Sequence, residues 1–206
     1  MQLKYNFWYF EKALKPAFTN KLIKEGIKKK PSLGVINKYQ GKKITPSMKK
    51  DLRKTRDSNV VFLNNKWIYD KVDEFFTVAN HNAGWNFKYD FYESAQFTVY
   101  GKDQHYDWHA DANPIPYPQN IDKNFAGKIR KLSASISLND SSEYEGGDFQ
   151  LDLSTPLEKK KIITVKELRK KGSVVIFPSH QYHKVTPVTK GVRYSLVIWG
   201  LGHPWQ

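Results

Sequence analysis

The chain has 206 residues, of which 39% are hydrophobic and 15% aromatic, enough apolar side chain for one globular domain with a substantial core. It contains no cysteine, which excludes disulfides and thiolate metal sites, so a metal would have to be bound by His, Asp or Glu. The formal net charge of +14 would suit an acidic partner such as nucleic acid, but the lysines form short clusters that are more typical of solvated surface.

The amino terminus, from Met1 to Asn6, lacks the long apolar stretch of a signal peptide. No run elsewhere approaches the roughly 18 consecutive apolar residues needed to span a bilayer. We therefore expect a soluble, cytoplasmic protein without a membrane partner.

The first third of the chain is predicted to be mixed and helix-rich. Pro16 suits the first turn of a helix that ends before Pro31, and Pro46 opens a shorter basic helix. The β-branched and apolar run 59–63 predicts a strand. A third helix, which stops at Gly84, has one apolar face: Ile68, Val72, Phe75, Phe76 and Ala79.

From Trp85 onward the pattern is typical of short strands separated by turns. Polar and apolar residues alternate in 96–100, 132–138 and 193–199, and 174–177 is an apolar run. Many short strands without helical crossovers predict an antiparallel double sheet or barrel. The expected class is α+β, with helices backing one sheet. We expect a single domain over 1–206, with a helix-rich support region over 1–85 and a strand core over 86–206.

One motif in the strand region has the composition of a metal site. His109 and Asp111 are two positions apart, so on an extended strand their side chains point the same way. The third ligand must come from a distant segment, either His180 or His183. We favour His183, because a strand-like segment that carries Arg193 follows it. Two histidines and a carboxylate can fill one face of an octahedral Fe(II) and leave the other positions open.

The same three ligands would also bind zinc. Arg193 favours iron, because zinc hydrolysis needs no dicarboxylate co-substrate, whereas oxygen activation needs a two-electron donor. Arg193 lies ten residues after His183, and a guanidinium binds a carboxylate bidentately, as a dicarboxylate co-substrate requires. Ser195 and Trp199 share its face of the strand, where they can add a hydrogen bond and an apolar wall. Tyr100 could donate a hydrogen bond to the co-substrate or could be a core tyrosine.

Residues 96–202 resemble the catalytic core of the 2-oxoglutarate/Fe(II) oxygenases, specifically the prolyl 4-hydroxylase-like branch. The resemblance covers about half the chain and implies a distorted double-stranded β-helix, a jelly-roll or cupin-like fold, with iron at one open end. The matching stretches are Tyr100-Gly101, His109-Ala110-Asp111, Arg130-Lys131-Leu132-Ser133, Leu138-Asn139, Glu145-Gly146-Gly147-Asp148-Phe149, 172–178, 183–188 and Arg193-Tyr194-Ser195.

By this resemblance the iron ligands are His109, Asp111 and His183. Arg193 would bind the distal carboxylate of 2-oxoglutarate, and Tyr100 and Ser195 would assist. The implied reaction consumes 2-oxoglutarate and O2, hydroxylates an unactivated C–H bond and releases succinate and CO2, with ascorbate as a further candidate cofactor. Collagen-type prolyl hydroxylases usually have lysine at the position of Arg193, so the resemblance does not specify a collagen-like substrate.

The substrate predicted from the resemblance is a prolyl or other side chain of a peptide or protein. Trp108, Tyr117 and Tyr182 are candidate substrate-binding residues, and the loop 112–125 is predicted to cover the mouth of the site. A free amino acid hydroxylase is an alternative.

Two further alternatives remain. An oxidative nucleic-acid dealkylase would suit the basic charge, but that group characteristically has a second arginine where this chain has Trp199. A metal-free jelly-roll binding module would neither retain nor require iron.

Overall fold

The computed structural model describes residues 4–36, 39, 41–112, 115–155 and 160–204. Its helices are α1 (Pro16–Lys28), α2 (Pro46–Thr55) and α3 (Lys66–Asn82). Proline occupies the first turn of α1 and of α2, and the Thr45 side chain caps α2 by accepting a hydrogen bond from the backbone N–H of Met48 at 3.2 Å. All three helices were predicted from the sequence. Among the described residues, no helix has both the length and the apolar character needed to cross a bilayer.

Fifteen strands make up most of the remaining described structure. They are β1 (Trp8–Phe10), β2 (Ser32–Leu33), β3 (Arg56–Asp57), β4 (Asn59–Leu63), β5 (Phe91–Tyr92), β6 (Ala95–Tyr100), β7 (His105–His109), β8 (Ile129–Ser137), β9 (Tyr144–Gly146), β10 (Phe149–Asp152), β11 (Ile162–Thr164), β12 (Val174–Pro178), β13 (His183–Val185), β14 (Val188–Gly191) and β15 (Arg193–Gly202).

The strands form two main antiparallel sheets and a two-stranded ribbon. The larger sheet has the order β1-β12-β8-β15-β6-β4-β2, with β5 pairing β15, and the smaller has the order β11-β10-β13-β7-β3. The ribbon joins β14 and β9. This is the double-stranded β-helix with accessory helices expected from the sequence.

The two faces of the larger sheet are buried in different ways. On the outer face, Leu132, Ala134 and Ile136 of β8 pack in one cluster with the apolar faces of α1 and α3. On the inner face, Val175 and Phe177 of β12 pack in a second cluster with residues of the smaller sheet. The serines that alternate along β8 face this inner side, and the small size of Ser135 leaves room for a cavity between the sheets.

The amino-terminal region contributes to both sheets as well as to the helical layer. Strands β1, β2 and β4 extend the larger sheet, and β3 pairs with β7 at the edge of the smaller one. Helix α1 packs closely on β6 because Gly26 has no side chain. A Cβ at that position would lie 2.4 Å from the ring of Phe97. The division into a support region and a core within one domain stays a prediction.

Candidate metal centre and co-substrate cavity

Three side chains converge at one end of the smaller sheet. His109 ends β7, His183 begins β13, and the two residues lie directly opposite each other in the antiparallel register. Asp111 follows two residues after His109; its Oδ1 lies 3.8 Å from His109 Nε2 and its Oδ2 lies 3.6 Å from His183 Nε2. One ligand atom from each residue lies within 4.8 Å of the others, so all three can share one ion.

Both histidines present the same nitrogen to this point. His109 Nδ1 lies 2.7 Å from the carbonyl oxygen of Asp107, and His183 Nδ1 lies 3.0 Å from that of Gln181. A carbonyl can only accept, so each Nδ1 must carry the proton and donate. This fixes the tautomer in which Nε2 has a free lone pair, as a metal-binding histidine requires.

The carboxylate of Asp111 is buried and incompletely satisfied. The backbone N–H groups of Asp111 and Ala112 donate to the carbonyl of Ser179 at 2.9 and 2.8 Å, which anchors the chain after β7. Oδ2 is buried and has no hydrogen-bond partner among the described residues. A buried carboxylate oxygen without a partner is costly, and a cation between the three side chains would compensate it. The donor set therefore fits a divalent metal ion.

The protonation states suit metal binding. Burial and the neighbouring His183 lower the pKa of His109 to about 3, so its imidazole is neutral at pH 7. Burial alone would raise the pKa of Asp111, but electrostatic interactions with His183, His109 and Arg130 lower it overall, and the carboxylate is ionised at pH 7. The ring of Tyr106 stacks on His109 with centroids 3.5 Å apart and restricts the orientation of the imidazole.

His180 does not join this group. It is exposed, and within the described part of the chain the one candidate metal cluster contains His183 instead. The geometry thus brings His183, and not His180, to the other two candidate ligands, and the role of His183 as a metal ligand stays a prediction.

The three side chains form part of the wall of a cavity of about 520 Å³ between the two sheets. Arg193, Ser195, Trp199 and Tyr100 line the same cavity, as the strand alternation predicts. Arg193 is only 2% exposed and donates from Nη1 to Ser195 Oγ at 3.3 Å. No carboxylate of the described residues pairs with it, so its guanidinium can receive an anionic ligand.

The neighbours of Arg193 set its position and add a donor. Gly147 has a φ of +62°, and a Cβ there would lie 2.9 Å from Arg193 Cδ, so only glycine fits beside this side chain. Burial raises the pKa of the Tyr100 phenol, against the opposing charges of Arg56 and Arg193. The phenol is therefore protonated at pH 7 and can donate to a carboxylate.

Trp199 is 5% exposed and forms an apolar part of the cavity wall. The Arg130 guanidinium lies over its ring, with the Cζ atom 3.8 Å from the centroid. Arg130 also pairs bidentately with Glu93, with Nε–Oε1 and Nη2–Oε2 distances of 2.7 Å, and approaches the Asp111 carbonyl at 3.4 Å. This ion pair thus braces the segment that carries a metal ligand.

Sequence reasoning assigned no role to two arginines of the cavity wall, Arg130 and Arg56, or to Glu93, which pairs with Arg130. Arg130 lies in one of the stretches that carry the family resemblance, but nothing local to Arg130 or to Glu93 indicates that the two residues meet. Arg56 also lines the cavity, although the sequence shows it only as one more basic residue after the lysine-rich helix α2.

The three candidate substrate-binding aromatic residues lie elsewhere, and none is among the residues that line the cavity. Trp108 contacts Lys184, whose Nζ lies 4.8 Å from the centroid of the indole. Tyr117 donates to Glu93 Oε1 at 3.0 Å, and Tyr182 is 55% exposed. Their role in substrate binding stays a prediction, as does the covering role of the loop 112–125, of which residues 113–114 lie outside the described structure.

Comparison with known proteins shows which protein family this chain resembles. A family model described as the 2OG-Fe(II) oxygenase superfamily matches residues 95–200. Among curated proteins, a PKHD-type hydroxylase of Pseudoalteromonas atlantica is 31% identical over 105 residues, 50% of this chain and 41% of the relative. The PKHD-type hydroxylase YbiX of Escherichia coli O157:H7 is 33% identical over 104 residues, 50% of this chain and 40% of the relative. The match thus spans about two-fifths of the length of these relatives.

Solved structures share the fold over nearly the whole chain. A Pseudomonas putida prolyl-4-hydroxylase has a TM-score of 0.67 and 16% identity, covering 95% of this chain and 92% of that one. The viral collagen prolyl hydroxylase of Paramecium Bursaria Chlorella virus-1, in its 2OG complex, has a TM-score of 0.62 and 19% identity, covering 96% and 97%.

The fold and the His109–Asp111–His183 group define a member of the double-stranded β-helix metal proteins. The family match extends over half of the chain and includes all three candidate ligands and Arg193. The chain belongs to the 2OG-Fe(II) oxygenase superfamily, whose cofactors are Fe(II) and 2-oxoglutarate.

Proposed function

We propose that the protein is a 2-oxoglutarate- and Fe(II)-dependent dioxygenase that hydroxylates an unactivated C–H bond. The observation that carries the proposal is the placement of the three candidate ligands and Arg193, which has no acidic partner among the described residues, in the wall of one cavity. A site for a metal and a site for a dicarboxylate therefore open into the same space.

The residues have separate tasks in this proposal. His109 and His183 contribute Nε2, and Asp111 a carboxylate oxygen, to Fe(II). Arg193 binds the distal carboxylate of 2-oxoglutarate by charge-assisted hydrogen bonds, and the protonated phenol of Tyr100 and the hydroxyl of Ser195 assist. Trp199 closes one side of the cavity with an apolar surface that excludes water.

When bound, iron and 2-oxoglutarate supply the chemistry: one oxygen atom of O2 enters the substrate and the other enters succinate, with release of CO2. The protein orients the reactants and limits side reactions. We propose that the substrate is a peptide or protein and that the group hydroxylated is a prolyl side chain or another side chain. The likeness in fold to prolyl hydroxylases and the match to PKHD-type hydroxylases support this assignment.

The test begins with anaerobic titration of the purified protein with Fe(II) and then with 2-oxoglutarate. We expect an absorbance band from charge transfer between the metal and 2-oxoglutarate. After O2 is admitted, we expect succinate to form. Protein that binds neither ligand and forms no succinate would instead be a metal-free binding module.

A substrate screen follows with three sets of compounds. Proline-containing peptides and free amino acids are examined by mass spectrometry for the gain of one oxygen atom, and methylated oligonucleotides for the loss of a methyl group. Gain of oxygen on a peptidyl proline supports the proposed assignment. Demethylation of the oligonucleotides without hydroxylation of peptides would identify a nucleic-acid dealkylase and contradict it.

A further inference from the structure

The amino-terminal region places a buried cation in the wall of the cavity. Arg56, at the junction of α2 and β3, is 5% exposed. Its guanidinium donates to Ser58 Oγ at 3.0 Å, to the Val35 carbonyl at 3.2 Å and to Gln96 Oε1 at 3.1 Å. All three acceptors are neutral. Within the described residues no carboxylate lies at ion-pair distance from Arg56, whereas buried charges in proteins are normally paired.

Arg56 is close to the metal centre but separate from its ligands. Its Cζ lies 4.6 Å from the centroid of the Tyr106 ring, and the same ring stacks on His109 with centroids 3.5 Å apart. Val35, Ile36 and Phe62 line the cavity together with Arg56. The guanidinium therefore lies beside apolar residues in the same space as the three candidate ligands.

When Fe(II) and 2-oxoglutarate are bound, the positive charge of Arg56 is not balanced by any other charge of the site. This step rests on the proposed function. The charges of Fe(II) and Arg193 balance those of Asp111 and the two carboxylates of 2-oxoglutarate. Arg130 is neutralised by Glu93 at 2.7 Å. Arg56 alone among the cavity's described arginines then has no anionic partner.

We propose that Arg56 binds a carboxylate of the substrate, and hence that the substrate is an anionic molecule. The group it binds is the free carboxylate of an amino acid, of a peptide terminus or of an acidic side chain next to the site of hydroxylation. The N–H groups of Arg56 that are not used by Ser58, Val35 and Gln96 are available to a carboxylate, which guanidinium binds better than a neutral amide. The adjacent apolar wall suits an aliphatic substrate body.

The experiment measures binding to the holoprotein with Mn(II) in place of Fe(II) and with saturating 2-oxoglutarate, so that no turnover occurs. The probes are the twenty common amino acids as free acids and as carboxamides, and proline-containing peptides that carry or lack an acidic residue and a free C terminus. Affinities come from calorimetry. At least one acid is expected to bind about tenfold or more tightly than its matched amide, as one charge-assisted interaction gives.

Two variants test whether Arg56 causes this preference. Arg56→Gln removes the charge, and Gln96→Glu keeps the arginine but supplies an internal carboxylate at the position that Arg56 Nη2 now contacts. Both should abolish the preference for acids. Because Gln96→Glu keeps Arg56, Ser58 and the Val35 carbonyl and still offers an acceptor oxygen to Arg56, it remains informative if Arg56→Gln does not fold. Arg53→Gln removes a half-exposed arginine of α2 and should leave the preference unchanged.

The outcomes separate this proposal from the preceding one. A protein that fails to bind Mn(II) and 2-oxoglutarate overturns the proposed function. Normal binding of both with no acid preferred over its amide anywhere in the panel overturns the role of Arg56 alone. A preference for acids over amides that persists in the folded Arg56→Gln or Gln96→Glu variant would likewise overturn the role of Arg56. Loss of 2-oxoglutarate affinity in Gln96→Glu, by about as much as in Arg193→Ala, would assign Arg56 to the co-substrate site and also overturn it.

Discussion

Tyr100 and Arg193 are directly paired across strands β6 and β15. The Cζ atom of Arg193 lies 5.5 Å from the centroid of the Tyr100 ring, and both residues are nearly inaccessible to solvent. The register of two central strands, rather than a flexible loop, thus sets the distance between the two proposed donors to 2-oxoglutarate. Donors fixed in this way lose little entropy when a ligand binds.

Arg193→Ala is expected to weaken 2-oxoglutarate binding far more than metal binding. The substitution removes charge-assisted hydrogen bonds of about 1.5–3 kcal/mol, which corresponds to roughly a tenfold to hundredfold loss of affinity. Calorimetry with Mn(II) and then with 2-oxoglutarate measures both steps. Tyr100→Phe should show a smaller loss, because it removes one neutral donor. Equal loss of metal and 2-oxoglutarate binding would mean that Arg193 is structural.

His183→Ala should abolish succinate formation, whereas His180→Ala should leave it close to the level of the unmodified protein. The reason is that His183 Nε2 lies 3.6 Å from Asp111 Oδ2, while the side chain at position 180 is exposed. Succinate assays with Fe(II), 2-oxoglutarate and O2 compare the two variants. Full activity in His183→Ala would remove this residue from the ligand set.

The metal-free protein is expected to lose stability as the pH falls from about 6.5 towards 3. The unfolded chain protonates His109 near its ordinary pKa of 6.5, but the folded chain does so only near a pKa of about 3, so protons favour unfolding between these values. His109 alone can contribute up to about 1.4 kcal/mol per pH unit. The lowered pKa of Asp111 acts in the same direction, because its protonation also favours the unfolded chain.

Urea unfolding in the presence of a chelator measures this pH dependence. His109→Gln should make it shallower, whereas His81→Gln, at an exposed position near the end of α3, should not. An identical slope in the unmodified protein and in His109→Gln would show that His109 does not titrate as described.

Glu93→Gln should destabilise the fold by about 3 kcal/mol, because it leaves the largely buried Arg130 without its anionic partner. Replacing both residues together, as Glu93→Leu with Arg130→Met, should recover part of this loss. Asp70→Asn breaks an exposed pair with Lys66 and serves as the control, with an expected effect below about 1 kcal/mol. Chemical unfolding at pH 7 gives the three values; a loss no greater in Glu93→Gln than in the control would exclude a bracing role.

Local sequence was sufficient where one element has a regular period. The apolar face predicted for the third helix is the face that α3 buries, because side chains that recur at helical spacing must lie on one side. Alternation likewise placed Arg193, Ser195 and Trp199 together in the cavity wall. Strands β1, β2 and β3 have two or three residues each, too few for any period, and exist only because their partners are brought alongside.

The candidate site likewise has features that local sequence determines and features that depend on tertiary contacts. Sequence by itself determined that His109 and Asp111 share one side, since two-residue spacing on an extended chain is a local property. Only tertiary structure decided that His183 meets them, that Glu93 neutralises Arg130, and that Arg56 enters the cavity from the amino-terminal region. It also left Trp108, Tyr117 and Tyr182 outside the residues that line the cavity. Backbone geometry fixes spacing within a strand, but contacts between distant segments depend on sheet register and packing, which no short stretch of sequence specifies.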